Sequence, residues 1–314
     1  MKVLLTGASS FTGVWFAQAL AAAGHSVVAP VRGTRDGYEG VRGERVRVLE
    51  SCAEVVWECA FGDERFMGLA AAGADVLCHH AAQVGDYRSP DFDIPGAVAA
   101  NTRNLRAVLR AMQAAGLRGV LHTGSVFEQD EGAGTLPLRA FSAYGLSKGL
   151  SAQVIAHHCA ELGVGQAKFV IPNPFGPLEE PRFCAYLMRC WKEGRAAEVK
   201  TPAYVRDNIH VGLLAAAYAD LAERLAAGTA PVHLGPSGYV EQQGAFTERF
   251  ARAMRARCAM ACEVVLPEQA EFGEPMVRIN ADPALPAALA GPLAALGWSE
   301  AGAWDSIAAY YDVR

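Results

Sequence analysis

Val3-Leu4-Leu5-Thr6-Gly7-Ala8-Ser9-Ser10-Phe11-Thr12-Gly13 begins two residues into the chain, and the order of residue types within it decides the fold. A short apolar run ends in a glycine turn, and the alanine-rich stretch Val14 to Ala23 that follows reads as a helix stopped by Gly24. Strand, tight turn and helix together make the first unit of an open parallel sheet. The pattern then repeats. Val27 to Val31 reads as a second strand, and the glycine- and arginine-rich stretch Arg32 to Arg47 as a loop. Apolar runs at Val76–Cys78, Val120–His122 and Lys168–Ile171 alternate with helical patterns at Asn104–Ala115 and Ala143–Leu162. The expected class is α/β, a doubly wound parallel sheet of the Rossmann type.

Composition excludes several function classes. With 314 residues, 52% of them hydrophobic and 19% charged, the chain is long enough for a large core and a smaller lobe. A formal net charge of −5 and the lack of a Lys/Arg stripe argue against nucleic acid or an acidic membrane as partner. No apolar run has the length of a bilayer span, and Val3-Leu4-Leu5 is too short for a signal-peptide core, so a cytoplasmic protein is expected. The eight cysteines form no CxxC pair and sit in apolar segments, as reduced core thiols would. His79-His80 and His157-His158 are adjacent in sequence, which separates the rings on a strand or a helix, and no metal site is expected.

The glycine turn has the composition of a phosphate cradle. A nucleotide pyrophosphate needs backbone N–H groups and a helix N-terminus aimed at it, with glycines where the chain turns tightly, and Gly7 and Gly13 fit. Ser10 takes the middle position where glycine is usual, so the loop either stands back from the phosphates or offers a hydroxyl. At the end of the second strand an acid would receive a ribose hydroxyl, but Arg32 and Arg35 stand there instead. Arginine suits a 2′-phosphate, so NADP(H) is the preferred cofactor, with NAD(H) allowed. Farther on, Tyr144 and Lys148 lie one turn apart on a single helix face. An ammonium so placed favours phenolate and pulls the phenol below its usual pKa of about 10, which suits proton transfer near neutrality.

These segments resemble a known family, the extended short-chain dehydrogenase/reductases, also called the NAD-dependent epimerase/dehydratase family. The turn is similar to its TGxxGxxG motif, Asp75-Val-Leu-Cys-His-His-Ala-Ala82 to DVVxHxAA, and Tyr144-Gly-Leu-Ser-Lys148 to YxxxK. Pro172-Asn173-Pro174-Phe175-Gly176-Pro177 resembles NxYGP, Arg206-Asp207-Asn208-Ile209-His210-Val211 resembles RDFIHV, and Leu296-Gly297-Trp298 a late LGW. The resemblance implies an NADP-binding domain over residues 1–171, to which 207–235 returns. Residues 172–206 and 236–314 form a smaller α/β substrate-binding lobe. It places Gly7, Ser10, Phe11, Gly13, Arg32, Arg35, Asp63, Ala81, Ala82, Asn101, Tyr144, Lys148 and Pro172 at the cofactor. Ser125 joins Tyr144 and Lys148 as the catalytic hydroxyl, with Thr123 as the alternative and a substrate contact. Asn173 and Arg206 inherit the nucleotide diphosphate, with weaker parts for Arg182 and for Arg278, whose other reading is a structural salt bridge.

The family's dehydratases follow their threonine with Asp-Glu, whereas Thr123 is followed by Gly124-Ser125, which argues against dehydration. Arg32 then favours reduction of a keto group on a nucleotide-linked deoxysugar. A nucleotide-sugar epimerase with a retained cofactor, a dihydroflavonol-reductase-like enzyme for a small ketone or aldehyde, and an NADP-sensing regulator are the alternatives. The family commonly dimerises through a four-helix bundle, so the alanine-rich helices at Ala99–Ala115 and Ala143–Leu162 imply a homodimer. Ser10, Asn208, Gly212-Leu213 and Val170 depart from the family pattern.

Overall fold

The structure is a computed structural model and describes residues 1–87, 89, 91–283 and 289–312. β1 (Lys2–Thr6) is followed by α1 (Phe11–Ala22) and β2 (Ser26–Pro30). Next come α2 (Gly40–Cys52), β3 (Glu54–Val56), α3 (Glu64–Ala71) and β4 (Val76–His79). α4 (Ile94–Asn101) and α5 (Leu105–Ala114) lead to β5 (Gly119–Ser125), β6 (Ala133–Gly134), α6 (Ala143–Leu162) and β7 (Gly165–Ile171). The second half supplies β8 (Asn173–Phe175), α7 (Phe183–Lys192), β9 (Ala197–Glu198), β10 (Val205–His210), α8 (Val211–Ala226) and β11 (His233–Leu234). β12 (Pro236–Ser237), β13 (Tyr239–Gln242), α9 (Gln243–Arg255), β14 (Val264–Val265), β15 (Arg278–Ile279), β16 (Asp282–Pro283), α10 (Ala290–Ala295) and α11 (Glu300–Asp312) follow.

Seven strands form one sheet in the order β11-β7-β5-β4-β1-β2-β3, and each pairing in it is parallel. The register aligns Thr6 with His79, His79 with His122 and His122 with Lys168, so the carboxyl ends of four strands share one edge. The strand order reverses between β1 and β4, which opens a crevice at that edge. Alternation along the strands builds a core on each face. Val3, Leu5, Val76, Cys78 and Leu121 pack with α1 and α8 on one side, while Leu4, Leu77 and Val120 pack with α3, α5 and α6 on the other. Phe16 of α1 stacks on Tyr218 of α8 with ring centroids 3.8 Å apart and planes 3° apart. A phenylalanine so buried is worth about 3–5 kcal/mol against alanine.

A separate core lies in the second half of the chain, where Phe175, Leu187, Trp191, Phe246, Phe250 and Trp304 pack together. Above it β10 joins β8 in parallel and β13 antiparallel.

The expected loop from Arg32 to Arg47 is corrected in its later part, because α2 begins at Gly40. The inward positions of that helix are Arg45, Val46 and Leu49, so one of the three residues that would show an apolar stripe is an arginine. The expected helix across Ala99–Ala115 is also broken. α4 ends at Asn101, and Asn104, with φ of 52°, redirects the chain into α5.

Candidate active site

The crevice starts at the turn after β1. Gly7 has φ of +73°, and a Cβ there would lie 2.8 Å from the Ala81 nitrogen, so only glycine lets the turn approach the loop after β4. A Cβ on Gly13 would stand 2.2 Å from the Gly7 carbonyl oxygen. These two glycines leave the first turn of α1, with its unpaired amides, facing the crevice. A cradle of bare backbone at a helix N-terminus fits a pyrophosphate. Thr6 Oγ1 accepts from the Ala81 amide at 3.0 Å and holds the second wall in place.

Ser10 corrects the idea of a spare hydroxyl. Its Oγ accepts from the Gly13 amide at 3.1 Å, which caps α1, and lies 3.0 Å from His80 Nε2. Thr12 Oγ1 meets the same nitrogen at 3.0 Å. Burial drives the His80 pKa down to about 3, so a neutral imidazole ties the turn to the loop after β4. Phe11 is buried, with the Arg45 guanidinium 5.9 Å from its ring centre.

Several expected cofactor contacts are occupied by the protein itself. The Asp63 carboxylate caps α3 by accepting from the Phe66 amide at 2.8 Å, and it also accepts from the Ala60 amide at 2.7 Å. Asn101 is buried; its Oδ1 accepts from the Gln83 amide at 2.7 Å, and its Nδ2 donates to Ser151 Oγ at 3.1 Å. It therefore fastens the Ala81-Ala82-Gln83 loop to α6. Arg35, expected beside a ribose phosphate, is exposed and pairs with Glu50 at 2.7 Å. Arg32 is exposed and makes a long contact of 3.4 Å to Gln83 Oε1. Pro172 is buried between β7 and β8.

The three side chains expected to be catalytic lie on β5 and α6. Ser142 caps α6 by accepting from the Gly145 amide, and Gly163 closes it with φ of 65°. Lys148 is 4% exposed, and its ammonium donates to the Thr123 carbonyl. Thr123 Oγ1 lies 3.5 Å from the Tyr218 hydroxyl, inside the core. Ser125 is half-buried at the strand end; its Oγ accepts from the Phe127 amide at 3.2 Å, and its own amide donates to Glu128 Oε1 at 2.8 Å. The Tyr144 ring meets Tyr87 and Phe92 edge-on at 6.1 and 6.2 Å, and exposed Arg182 sits 5.8 Å from the Tyr87 ring centre. Arg182 thus stands beside the tyrosine, and its charge reaches the phenol.

The expected lowering of the phenol pKa is reversed among the protein's own groups. Burial pushes Tyr144 up to about 12, and the Glu128 carboxylate adds to the rise while Arg182 opposes it. Burial lowers Lys148 to about 8, against the pull of Glu128. Burial is the main cause, and the first charge to add to it is the Glu128 carboxylate, which the sequence reading passed over; the lysine ammonium donates to the Thr123 carbonyl.

Two of the expected phosphate arginines are clamps. Arg278 is fully buried and donates to the carbonyls of Val126, Arg139 and Glu128, with Phe141 beneath its guanidinium at 5.3 Å. Its partners are carbonyls, so neither the phosphate nor the salt-bridge expectation describes it. Arg206 donates to Val205, Pro275 and Met276 carbonyls and to Glu274 Oε2 at 2.9 Å, and stacks on Tyr204 at 4.4 Å. Asn173 Nδ2 donates to the Asp207 carbonyl at 3.3 Å. Gly212 departs from the family pattern for a packing reason, because a Cβ there would lie 2.7 Å from Trp298 Cδ1. The two adjacent histidines of α6 do converge, through Glu161: His158 Nδ1 lies 2.9 Å and His157 Nε2 3.6 Å from its Oε2, which Arg106 also approaches at 3.7 Å. These groups are far along α6 from Tyr144.

Sequence reasoning missed Glu128, Lys168 and Arg45. One partial signal was available for the first: Gly124 is followed four residues later by Glu128, and Gly145 and Gly149 repeat at helical spacing.

A sequence model described as the NAD dependent epimerase/dehydratase family matches residues 3–235. A UDP-glucose 4-epimerase of Mycolicibacterium smegmatis is 26% identical over 289 residues, covering 88% of this chain and 86% of that protein. Among solved structures, a UDP-glucose-4-epimerase from Stenotrophomonas maltophila with bound NAD superposes with a TM-score of 0.73 at 20% identity, covering 100% of this chain and 98% of that one. A dTDP-glucose 4,6-dehydratase from Streptomyces venezuelae with NAD gives 0.69 at 19% identity, again covering 100% and 98%. The likeness to these two structures is one of fold.

Proposed function

Because the chain belongs to the NAD dependent epimerase/dehydratase family, we propose that it is a dinucleotide-dependent enzyme that exchanges hydride with a carbon of a nucleotide-linked sugar, with epimerisation as the leading reading. The observation that carries it is the placement of Lys148 against the Thr123 carbonyl near the end of β5, with Ser125 two residues farther on that strand and Tyr144 one turn earlier on α6, at the sheet edge that also bears the Gly7–Gly13 cradle. In this reading Gly7, Gly13, the α1 N-terminus, Ala81 and Ala82 hold the dinucleotide, and Lys148 orients it. When bound, its nicotinamide supplies hydride transfer. Tyr144 would take the proton of the sugar hydroxyl as phenolate while the carbonyl forms and return it afterwards, the positive charge of the bound oxidised nicotinamide offsetting the burial and the Glu128 carboxylate that raise its pKa, while Ser125 Oγ donates to the same oxygen. Arg182, exposed beside Tyr87 and Tyr144, is a cation placed to meet a diphosphate.

The epimerase relative and the Gly124-Ser125 pair in place of two acids support epimerisation over dehydration. A second reading, the NADPH-dependent reductase, rests on Arg32 at the end of β2 with no carboxylate beside it. One assay separates them. The protein is incubated with UDP- and dTDP-hexoses and their 4-keto forms, with NAD or NADPH added, while absorbance of the reduced cofactor is followed and the sugars are separated. Epimerised sugar without net change in reduced cofactor supports the leading reading; stoichiometric loss of NADPH replaces it with the second. No conversion of any member of the panel contradicts both.

A further inference from the structure

Glu128 is 0% exposed, yet it is a carboxylate with no part in the reading above. It lies in the turn after β5, and that turn is wedged between the strand and α6. A Cβ at Gly145 would fall 2.3 Å from the Phe127 carbonyl oxygen, and one at Gly149 would touch Glu128 Cβ at 3.8 Å and Oε2 at 4.0 Å. Gly145 and Gly149 flank Tyr144 and Lys148 along the helix, so the glutamate rests in a groove made by the residues next to the reactive pair. On its other side the carboxylate enters space that a side chain at position 124 would fill. A Cβ at Gly124 would lie 2.6 Å from Lys168 Cε and 3.2 Å from Glu128 Oε1.

The carboxylate is held at both oxygens. Oε1 accepts from the Ser125 amide at 2.8 Å and Oε2 from Lys168 Nζ at 2.6 Å. Lys168 also donates to Glu131, which accepts from His233 Nε2 at 2.8 Å. Arg278 donates to the Glu128 carbonyl and the Val126 carbonyl, fixing the backbone of the same turn. Stability alone does not explain such a set, because apolar residues of similar volume usually serve at least as well as a buried ion pair. A fixed charge next to a reactive amine and phenol is a different matter.

We propose that Glu128 is a positioning residue: tethered by Lys168 in the space left by Gly124, it anchors the Ser125 strand end and fixes one negative charge beside the Tyr144–Lys148 pair. The proposal rests on the roles given above to Tyr144, Lys148 and Ser125. Its work is to keep the buried Lys148 protonated, since a carboxylate close by offsets part of the desolvation that favours the neutral amine.

Among the described residues, the other titratable groups whose charge couples to Lys148 are Lys168 on β7, His79 and His80 at and after the end of β4, and His122 on β5; Tyr144 lies one turn earlier on α6. Burial keeps the three histidines neutral, with pKa values of about 4 and about 3 for His79 and His80 and well below the usual value for His122. They stay silent across the window in which the lysine titrates.

The test is the Lys148 titration itself, read by NMR of side-chain-labelled lysine in the full-length protein. The chain has five lysines, and Lys148→Arg assigns the resonance. Glu128→Gln keeps the shape and an acceptor for the Ser125 amide but removes the charge, and lowers the Lys148 midpoint by about one pH unit. Glu128→Asp keeps the charge but draws it back by one methylene, so it lowers the midpoint by less than Glu128→Gln, and this decides the matter if Glu128→Gln does not fold. A midpoint unmoved in a folded variant overturns the proposal, and so does a lower Tm with the midpoint unchanged, since that marks a purely structural role. If the midpoints move but Tyr144→Phe turns over normally, the electrostatic role of Glu128 stands and the proton-transfer reading fails instead.

Discussion

At the scale of single residues, the buried carboxylates decide how the protein answers to pH. Glu179 is 7% exposed, and burial pushes its pKa up to about 7, with the Tyr311 hydroxyl donating to it at 2.5 Å. A carboxyl whose folded pKa is raised stabilises the fold fully below its unfolded value and loses that contribution as pH rises through the folded one. Between about pH 4.5 and 7 the wild type should therefore lose roughly 2–3 kcal/mol through this group, and Glu179→Gln should flatten the curve and be the more stable of the two at pH 8. Urea unfolding at pH 5 and pH 8 measures it; parallel pH dependence in the two proteins would refute the assignment. Residue identity was readable from sequence where a motif demanded it, as at Gly7, Tyr144 and Lys148. It was not readable where a charge is satisfied by distant carbonyls: Arg278 and Arg206 look like phosphate ligands in a linear string and are clamps in three dimensions.

Among the elements, α6 shows what local signals can and cannot give. Its bounds, Ala143 to Leu162, were legible because Ser142 caps it and Gly163 terminates it in the left-handed region. α2 was not, because its inward stripe includes Arg45, neutralised by Glu180 at 2.7 Å on a segment far along the chain. No periodicity records such a partner. The face by which α6 receives the turn after β5 depends on Gly145, and Gly145→Ala would drive a methyl into the Phe127 carbonyl. The expected cost is about 1–3 kcal/mol, and turnover falls further than stability because Tyr144 is carried on the displaced helix. A Tm drop with unchanged kcat would contradict this.

For the whole molecule, the parallel sheet and its crevice followed from the first eleven quoted residues and their repetition, and the seven-strand order agrees with that reading. The strands of the second half escaped it because several are only two or three residues long, below the length at which alternation shows. Among the described residues no helix is long and apolar enough to cross a membrane. Leu146 and Leu150 are each 37% exposed one turn apart on α6, on the helix that also carries the reactive pair. We propose that this face pairs with a second copy; sedimentation should give a dimer mass for the wild type and a monomer for Leu150→Glu, whereas a monomeric wild type would end the idea. The central claim is that one phenol, set between the dinucleotide cradle and the sugar, moves the proton. Its most direct test is the Tyr144→Phe variant on a converted substrate, with NAD affinity measured alongside. The account predicts a loss of kcat of about 10²–10⁴-fold with NAD affinity within a few-fold of wild type; turnover at the wild-type rate would contradict it.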